Sequence, residues 1–170
     1  MSDKTLVMRI AFHTQNLAVV FALIVSLSTQ AQDLKLLGAS QPTIKSEALK
    51  TKLSLETLKT WEPHEKVEAS FRGYNLSKLL ELTFGKSWSK AKAFTFVCKD
   101  GYRAQVKIDT IKKYQAVLAT EWVGHDFKVN NGKKIEDLAP YYLVWEAPEG
   151  AETRGQHFWP WQIVGIEILN

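Results

Sequence analysis

Apolar positions along this chain change period several times, and each change marks an element. Residues 17–27 form a continuous apolar run, LAVVFALIVSL. A short apolar stretch at residues 33–37 predicts a first strand, and Pro42 breaks the chain after it. Ser54 then reads as the N-cap of one or two helical turns through Leu55 and Leu58, with Glu56 and Glu62 close by. In residues 66–71 the period drops to two, with Val67, Ala69 and Phe71 on one face, and predicts a half-buried strand that Gly73 ends. Helical spacing returns at Leu76, Leu79, Leu80 and Phe84, with Ser77 and Lys78 outward. Asn75 is therefore expected to cap a short amphipathic helix that Gly85 terminates.

Strands are predicted on both sides of Asp100-Gly101. Residues 93–98 form one, and residues 102–108 the other, with Tyr102, Ala104, Val106 and Ile108 sharing a face. Asp-Gly between two such runs is a hairpin signal, because a type I′ turn needs positive φ at its central positions. Asp109 is expected to cap another helical turn to Tyr114. Residues 116–119 and 141–145 are apolar enough for buried strands, and residues 161–169 alternate through Ile163, Ile166 and Ile168. Turn residues gather at Asn130-Asn131-Gly132 and Pro148-Glu149-Gly150. Many short strands with few short helices give an α+β domain built on mixed sheet.

The N-terminus changes the picture by adding an address. Lys4 and Arg9 supply a positive n-region, the apolar run has signal-peptide length, and Thr29-Gln30-Ala31 puts small residues where a signal peptidase reads. Cleavage after Ala31 is expected, leaving residues 32–170 as a single periplasmic domain with no direct membrane insertion. The run falls short of the roughly 20 apolar residues of a span, though an uncleaved anchor is the alternative. Removing Asp3, Lys4 and Arg9 lowers the formal net charge from +4 to +3. That is too small and too evenly spread for a nucleic-acid partner. Lys86, Lys90 and Lys92 read as a solvated basic loop. Cys98 is the only cysteine; it excludes an internal disulfide and is expected to be a buried, inert thiol.

Several motifs occur in a shared order over about 100 residues. Thr60-Trp61 precedes Phe71-Arg72-Gly73-Tyr74-Asn75-Leu76 and Leu79-Leu80. Asp100-Gly101-Tyr102, Val117-Leu118-Ala119 and Ala139-Pro140-Tyr141-Tyr142-Leu143-Val144-Trp145 come next. The series closes on Trp159-Pro160-Trp161-Gln162-Ile163-Val164-Gly165-Ile166-Glu167-Ile168. In this order they resemble the molybdopterin-binding fold of sulfite-oxidase-like enzymes. The metal-binding cysteine of that family belongs to an earlier segment, which here has none, and the chain lacks the dimerisation domain that follows in sulfite oxidases. The resemblance therefore implies a short exported branch that binds a pterin without molybdenum and without redox catalysis. Some members of that branch resemble periplasmic pterin-binding regulators, which contact the periplasmic part of a membrane-bound diguanylate cyclase or phosphodiesterase of cyclic-di-GMP. The alternatives are a molybdopterin-dependent oxidoreductase and a ligand-free interaction domain.

A pterin presents a flat ring and a 2-amino-4-oxo-pyrimidine edge, so its site needs a ring to stack on, an acceptor for the N–H edge and a donor for the oxo group. Trp159 and Trp161 flank Pro160 and are the first candidates for stacking, with Trp61 next. In a strand, Trp159 and Trp161 share one face, and the alternative is a hydrophobic plug. Tyr102 is either a core residue or a ligand contact. Asp100 is either the turn residue that its Asp-Gly pair demands or an acceptor for the pyrimidine edge, with Glu121 and Glu62 as competitors. Arg154, in a polar loop bracketed by Gly150 and Gly155, is a candidate donor to the oxo group or simply a solvated arginine. His64, His125 and His157 show no i, i+3 or i, i+4 pair, and there is no Cys-x-x-Cys, so no metal site is expected. Gly-x-Ser-x-Gly, a P-loop and a dinucleotide glycine fingerprint are likewise missing from the sequence.

Overall fold

The computed structural model describes residues 32–170, and the expected leader at residues 1–31 lies outside them. In chain order the strands and helices are β1 (Leu34–Leu37), β2 (Thr43–Ile44), α1 (Ser46–Lys52), β3 (Leu55–Glu62), β4 (Val67–Asn75), α2 (Leu76–Phe84) and β5 (Ala93–Cys98). They continue with β6 (Arg103–Lys107), α3 (Ile108–Lys113), β7 (Ala116–Trp122), β8 (Lys128–Asn130), β9 (Ile135–Asp137), β10 (Tyr142–Trp145) and β11 (Ile163–Leu169). Short 3-10 turns occupy Lys86–Lys90, Glu152–Arg154 and Gln156–Phe158. The class is α+β. One sheet runs β2-β1-β11-β5-β6, mixed because β1 lies parallel to β11, and the other runs β10-β7-β4-β3, antiparallel throughout. β8 and β9 form a separate ribbon. Among the described residues no helix is long and apolar enough to cross a membrane.

The helix expected after Ser54 is a strand instead. Leu58, Thr60 and Glu62 are buried while Leu55, Thr57 and Lys59 are exposed, a period of two that pairs β3 with β4 from Leu55↔Tyr74 to Glu62↔Val67. Two leucines three apart share a face in a helix but fall on opposite faces of a strand, and pairing with β4 makes the strand and leaves Leu55 outward. The helix falls earlier, at α1, with Glu47 in its first turn, Lys50 and Lys52 in its last, and Leu49 as its buried anchor.

Gly73 does not end its strand either. β4 runs on to Asn75, and Gly73 marks a register shift against β7, where Arg72 faces Glu121 but Gly73 faces Ala119. A Cβ at position 73 would lie 2.3 Å from the Leu118 carbonyl oxygen and 2.4 Å from the Ala119 Cα. The residue is glycine because two backbones meet there. Val67, expected inward, is exposed, whereas Ala69 and Phe71 are buried as expected.

α2 forms over the expected residues. The Asn75 side chain accepts from the Lys78 N–H, Gly85 follows Phe84, and Leu76, Leu79 and Leu80 are buried. The β5–β6 hairpin also forms, with a different turn. Among the described residues Gly101 has positive φ (89°) and Asp100 does not, and the Gly101 N–H donates to the Cys98 carbonyl. This is a type I turn closed by a left-handed glycine, the three-residue alternative to type I′. Asp109 lies within the first turn of α3 rather than capping it, since Lys107 holds the cap position. The 161–169 run starts its strand only at Ile163, with a bulge between Ile163 and Gly165.

The core lies between the sheets. Phe71, Tyr74, Phe94, Phe96, Trp145 and Trp159 are among its bulkiest fully buried members, and the leucines of α2 pack into it. Thr60 Oγ1 donates to the Trp145 carbonyl and accepts from the Ala147 N–H. This single hydroxyl thereby satisfies two buried backbone groups.

Candidate functional site

A cavity of about 480 Å³ opens where three turns converge on the approach to β11. The β5–β6 turn contributes Cys98, Asp100 and Tyr102; the end of β3 leads into it through His64; the β8–β9 ribbon supplies Asn131 and Lys133. The remaining wall is residues 156–162, with Trp159 and Trp161. The volume falls within the usual range for small-molecule sites.

Residues 159–162 are not extended, and this separates the two tryptophans. Trp159 sits at φ −112°, ψ 59°, and Gln162 adopts φ 55°, a left-handed conformation that residues other than glycine rarely take. The segment is pinned between the sheets. The Pro160 carbonyl accepts from Leu143 N–H, Gln162 N–H donates to the Leu138 carbonyl, and Lys99 N–H donates to the Gln162 carbonyl. Trp159 is fully buried, packs 5.8 Å from the Tyr142 ring and donates its indole N–H to the Thr153 carbonyl. Trp161 is only half-buried, and its ring stands edge-on to His64 at 5.3 Å and 81°. The expectation that both share a strand face is corrected: Trp159 is the cavity's floor and Trp161 its side wall.

Tyr102 is 51% exposed, outside β6, so it is a rim residue and not the inward hairpin residue that the alternation suggested. Asp100 serves its turn, accepting the Tyr102 N–H at Oδ1 (2.9 Å). Oδ2 makes no hydrogen bond among the described residues, so one carboxylate oxygen stays available at the rim.

Three other candidates lie outside the cavity. The Arg154 guanidinium stacks over the Trp61 ring at 5.1 Å, and its Nε donates to the Ala147 and Pro148 carbonyls at 3.0 and 3.1 Å. These contacts tie a loop to β3, so Arg154 and Trp61 satisfy one another. Glu121 is exposed on β7, opposite Arg72.

Glu62, a competing acceptor for the pyrimidine edge in the sequence, does not line the cavity and spends both oxygens on protein partners; the signal that the sequence did not reveal is its pairing with His64. Glu62 is fully buried. Its Oε1 accepts from His64 Nδ1 (2.7 Å) and from the Tyr142 hydroxyl (2.7 Å), and its Oε2 accepts from the Glu65 N–H (2.6 Å). Burial pushes the Glu62 carboxyl up, but the hydrogen bonds from His64, the Glu65 N–H and Tyr142 outweigh it and hold the group below the usual carboxylate range. Burial, and then the Glu62 charge, push the Tyr142 phenol well above its ordinary value, so Tyr142 remains the donor. A carboxylate two residues before a histidine, at the end of an alternating run, is the pattern to look for.

Cys98 is buried at 5% exposure, and burial together with the Asp100 charge pushes its thiol up to about 12. Thiolate is the nucleophile, so native protein at pH 8 is expected to react with iodoacetamide at least about a hundredfold more slowly than the denatured chain, speeding up only in strong alkali. A native rate matching the denatured one would show an accessible, activated thiol. Among the described residues no group of three or more histidine, cysteine, aspartate or glutamate side chains is placed to hold a metal ion. The sequence matches no protein-family model and no curated protein.

Proposed function

We propose that this chain is an exported, non-catalytic pterin-binding protein of the sulfite-oxidase-type fold, and that it regulates a membrane-bound diguanylate cyclase or phosphodiesterase from the periplasm. The observation that carries the reading is the cavity itself. It has the volume for a bicyclic heterocycle, a half-buried indole in its wall, and polar groups on fixed turns at its rim. Trp161 supplies the stacking face, and Tyr102 and Asp100 close the rim. Lys133 and the amides of Gln156 and Gln162, each of which already donates one hydrogen bond to a backbone carbonyl, are the side-chain donors lining the cavity for a 4-oxo group. An interaction domain whose old pocket had been filled by tryptophan would need no such space.

Titrating the purified domain with a fluorescent pterin tests this reading. Trp161→Ala is expected to weaken uptake about tenfold, the scale of one lost aromatic contact, with little change in melting temperature. Failure of the wild-type protein to retain any pterin would sink the proposal. The molybdopterin-dependent oxidoreductase has one observation in its favour: Cys98 borders the same cavity. Metal analysis of protein made in a cofactor-competent host separates the two, since stoichiometric molybdenum belongs only to the enzyme.

A further inference from the structure

We infer that His64 is the specificity-determining residue of this cavity: Glu62 fixes its tautomer so that Nε2 offers a lone pair to the 2-amino group of the bound heterocycle. The inference rests on the pterin reading and deepens it by naming an acceptor.

Glu62 decides where the imidazole proton sits. A buried carboxylate kept ionised by three hydrogen bonds accepts only, so the ring nitrogen facing it at 2.7 Å, Nδ1, carries the proton. The Tyr142 hydroxyl, 3.3 Å from the same Nδ1, gives its own proton to Glu62 and does not compete. In a neutral imidazole the other nitrogen is then an acceptor. Nε2 makes no hydrogen bond among the described residues, yet no buried side-chain nitrogen or oxygen there lacks a partner. It therefore keeps some accessible surface, and the cavity is one that His64 lines. Trp161, edge-on to the imidazole, limits its rotation, and a 2-amino group that approaches in the imidazole plane meets the Nε2 lone pair. Glu62 is a positioning residue here, acting through His64.

The test compares pterin with lumazine, the analogue carrying an oxo group in place of the 2-amino group. An oxo oxygen facing the Nε2 lone pair forms no hydrogen bond and leaves the acceptor unsatisfied. Wild-type protein is expected to prefer pterin by about tenfold or more. His64→Asn keeps a donor toward Glu62 but deletes Nε2, and is expected to bring the ratio close to one. A purely structural role for His64 would leave the ratio unchanged. Nitrogen-15 spectra of the ligand-free wild-type protein at pH 7.5 supply a readout that needs neither ligand nor variant: a protonated Nδ1 with a bare Nε2 is expected. Equal affinity for the two compounds, a ratio preserved in His64→Asn, or a doubly protonated imidazole overturns the assignment while leaving pterin binding intact. Uptake of neither compound overturns the pterin reading and the assignment together.

Discussion

Trp159→Ala is expected to destabilise the protein by about 3–5 kcal/mol, the cost of removing a fully buried indole from a core that cannot collapse around the gap. Trp159 has no exposed surface, packs against Tyr142, and holds the Thr153 carbonyl through its indole N–H. Truncation would leave that carbonyl without its donor as well as opening a void. Urea denaturation of the variant measures the loss, and a difference below about 1 kcal/mol would show that the indole is not part of the core. Trp159→Ala is therefore unsuitable for probing ligand uptake, because lost binding would only report lost fold. Trp161, two residues on, is the appropriate probe.

Gly73→Ala is the second large effect. A methyl group there meets the Leu118 carbonyl oxygen at 2.3 Å, the Leu118 carbonyl carbon at 2.6 Å and the Ala119 Cα at 2.4 Å. All three are backbone atoms of β7, so no side chain can rotate out of the way. β4 and β7 must separate, and the central pairing of the four-stranded sheet is broken at its bulge. A loss of about 3 kcal/mol or more is expected, read from the denaturation midpoint. By contrast, Gly101→Ala meets no atom within 4 Å and strains only an exposed turn. A loss at Gly73→Ala no larger than that at Gly101→Ala would mean that the β7 backbone gives way to the added methyl at little cost.

The contrast shows what a single sequence can disclose. α2 is legible because its signals are local: Asn75 caps, Gly85 follows the last turn, and the leucines between them fall on one face. The strands on either side of Asp100-Gly101 are legible for the same reason. β3 reads as a helix from its own residues because Leu55 and Leu58, three apart, share a face only in a helix, and the pairing with β4 that overrides this spacing is not written locally. Gly73 reads as a stop because the true cause of its glycine lies more than forty residues away, in the backbone of β7.

The site divides along the same line. Asp100, Tyr102, Trp159 and Trp161 do border one cavity, brought there by a turn and a segment close to their own sequence signals. Arg154 and Trp61, each plausible alone, turn out to be partners of one another. The Glu62–His64 pair is silent in the sequence because its meaning depends on Tyr142, 80 residues distant, and on a depth of burial that no local pattern announces.

The order of strands in the five-stranded sheet has a consequence for how the chain folds. Among the described residues β11 follows every other strand in the chain, yet it is the one inserted between β1 and β5. Until it docks, β1 and β5 each present an open edge, and the segment bearing Trp161, which leads directly into β11, has no sheet to anchor it. Completion of the sheet and formation of the cavity are therefore coupled through the β1–β11 pairing, a contact that spans nearly the whole described chain and has a correspondingly large closure entropy.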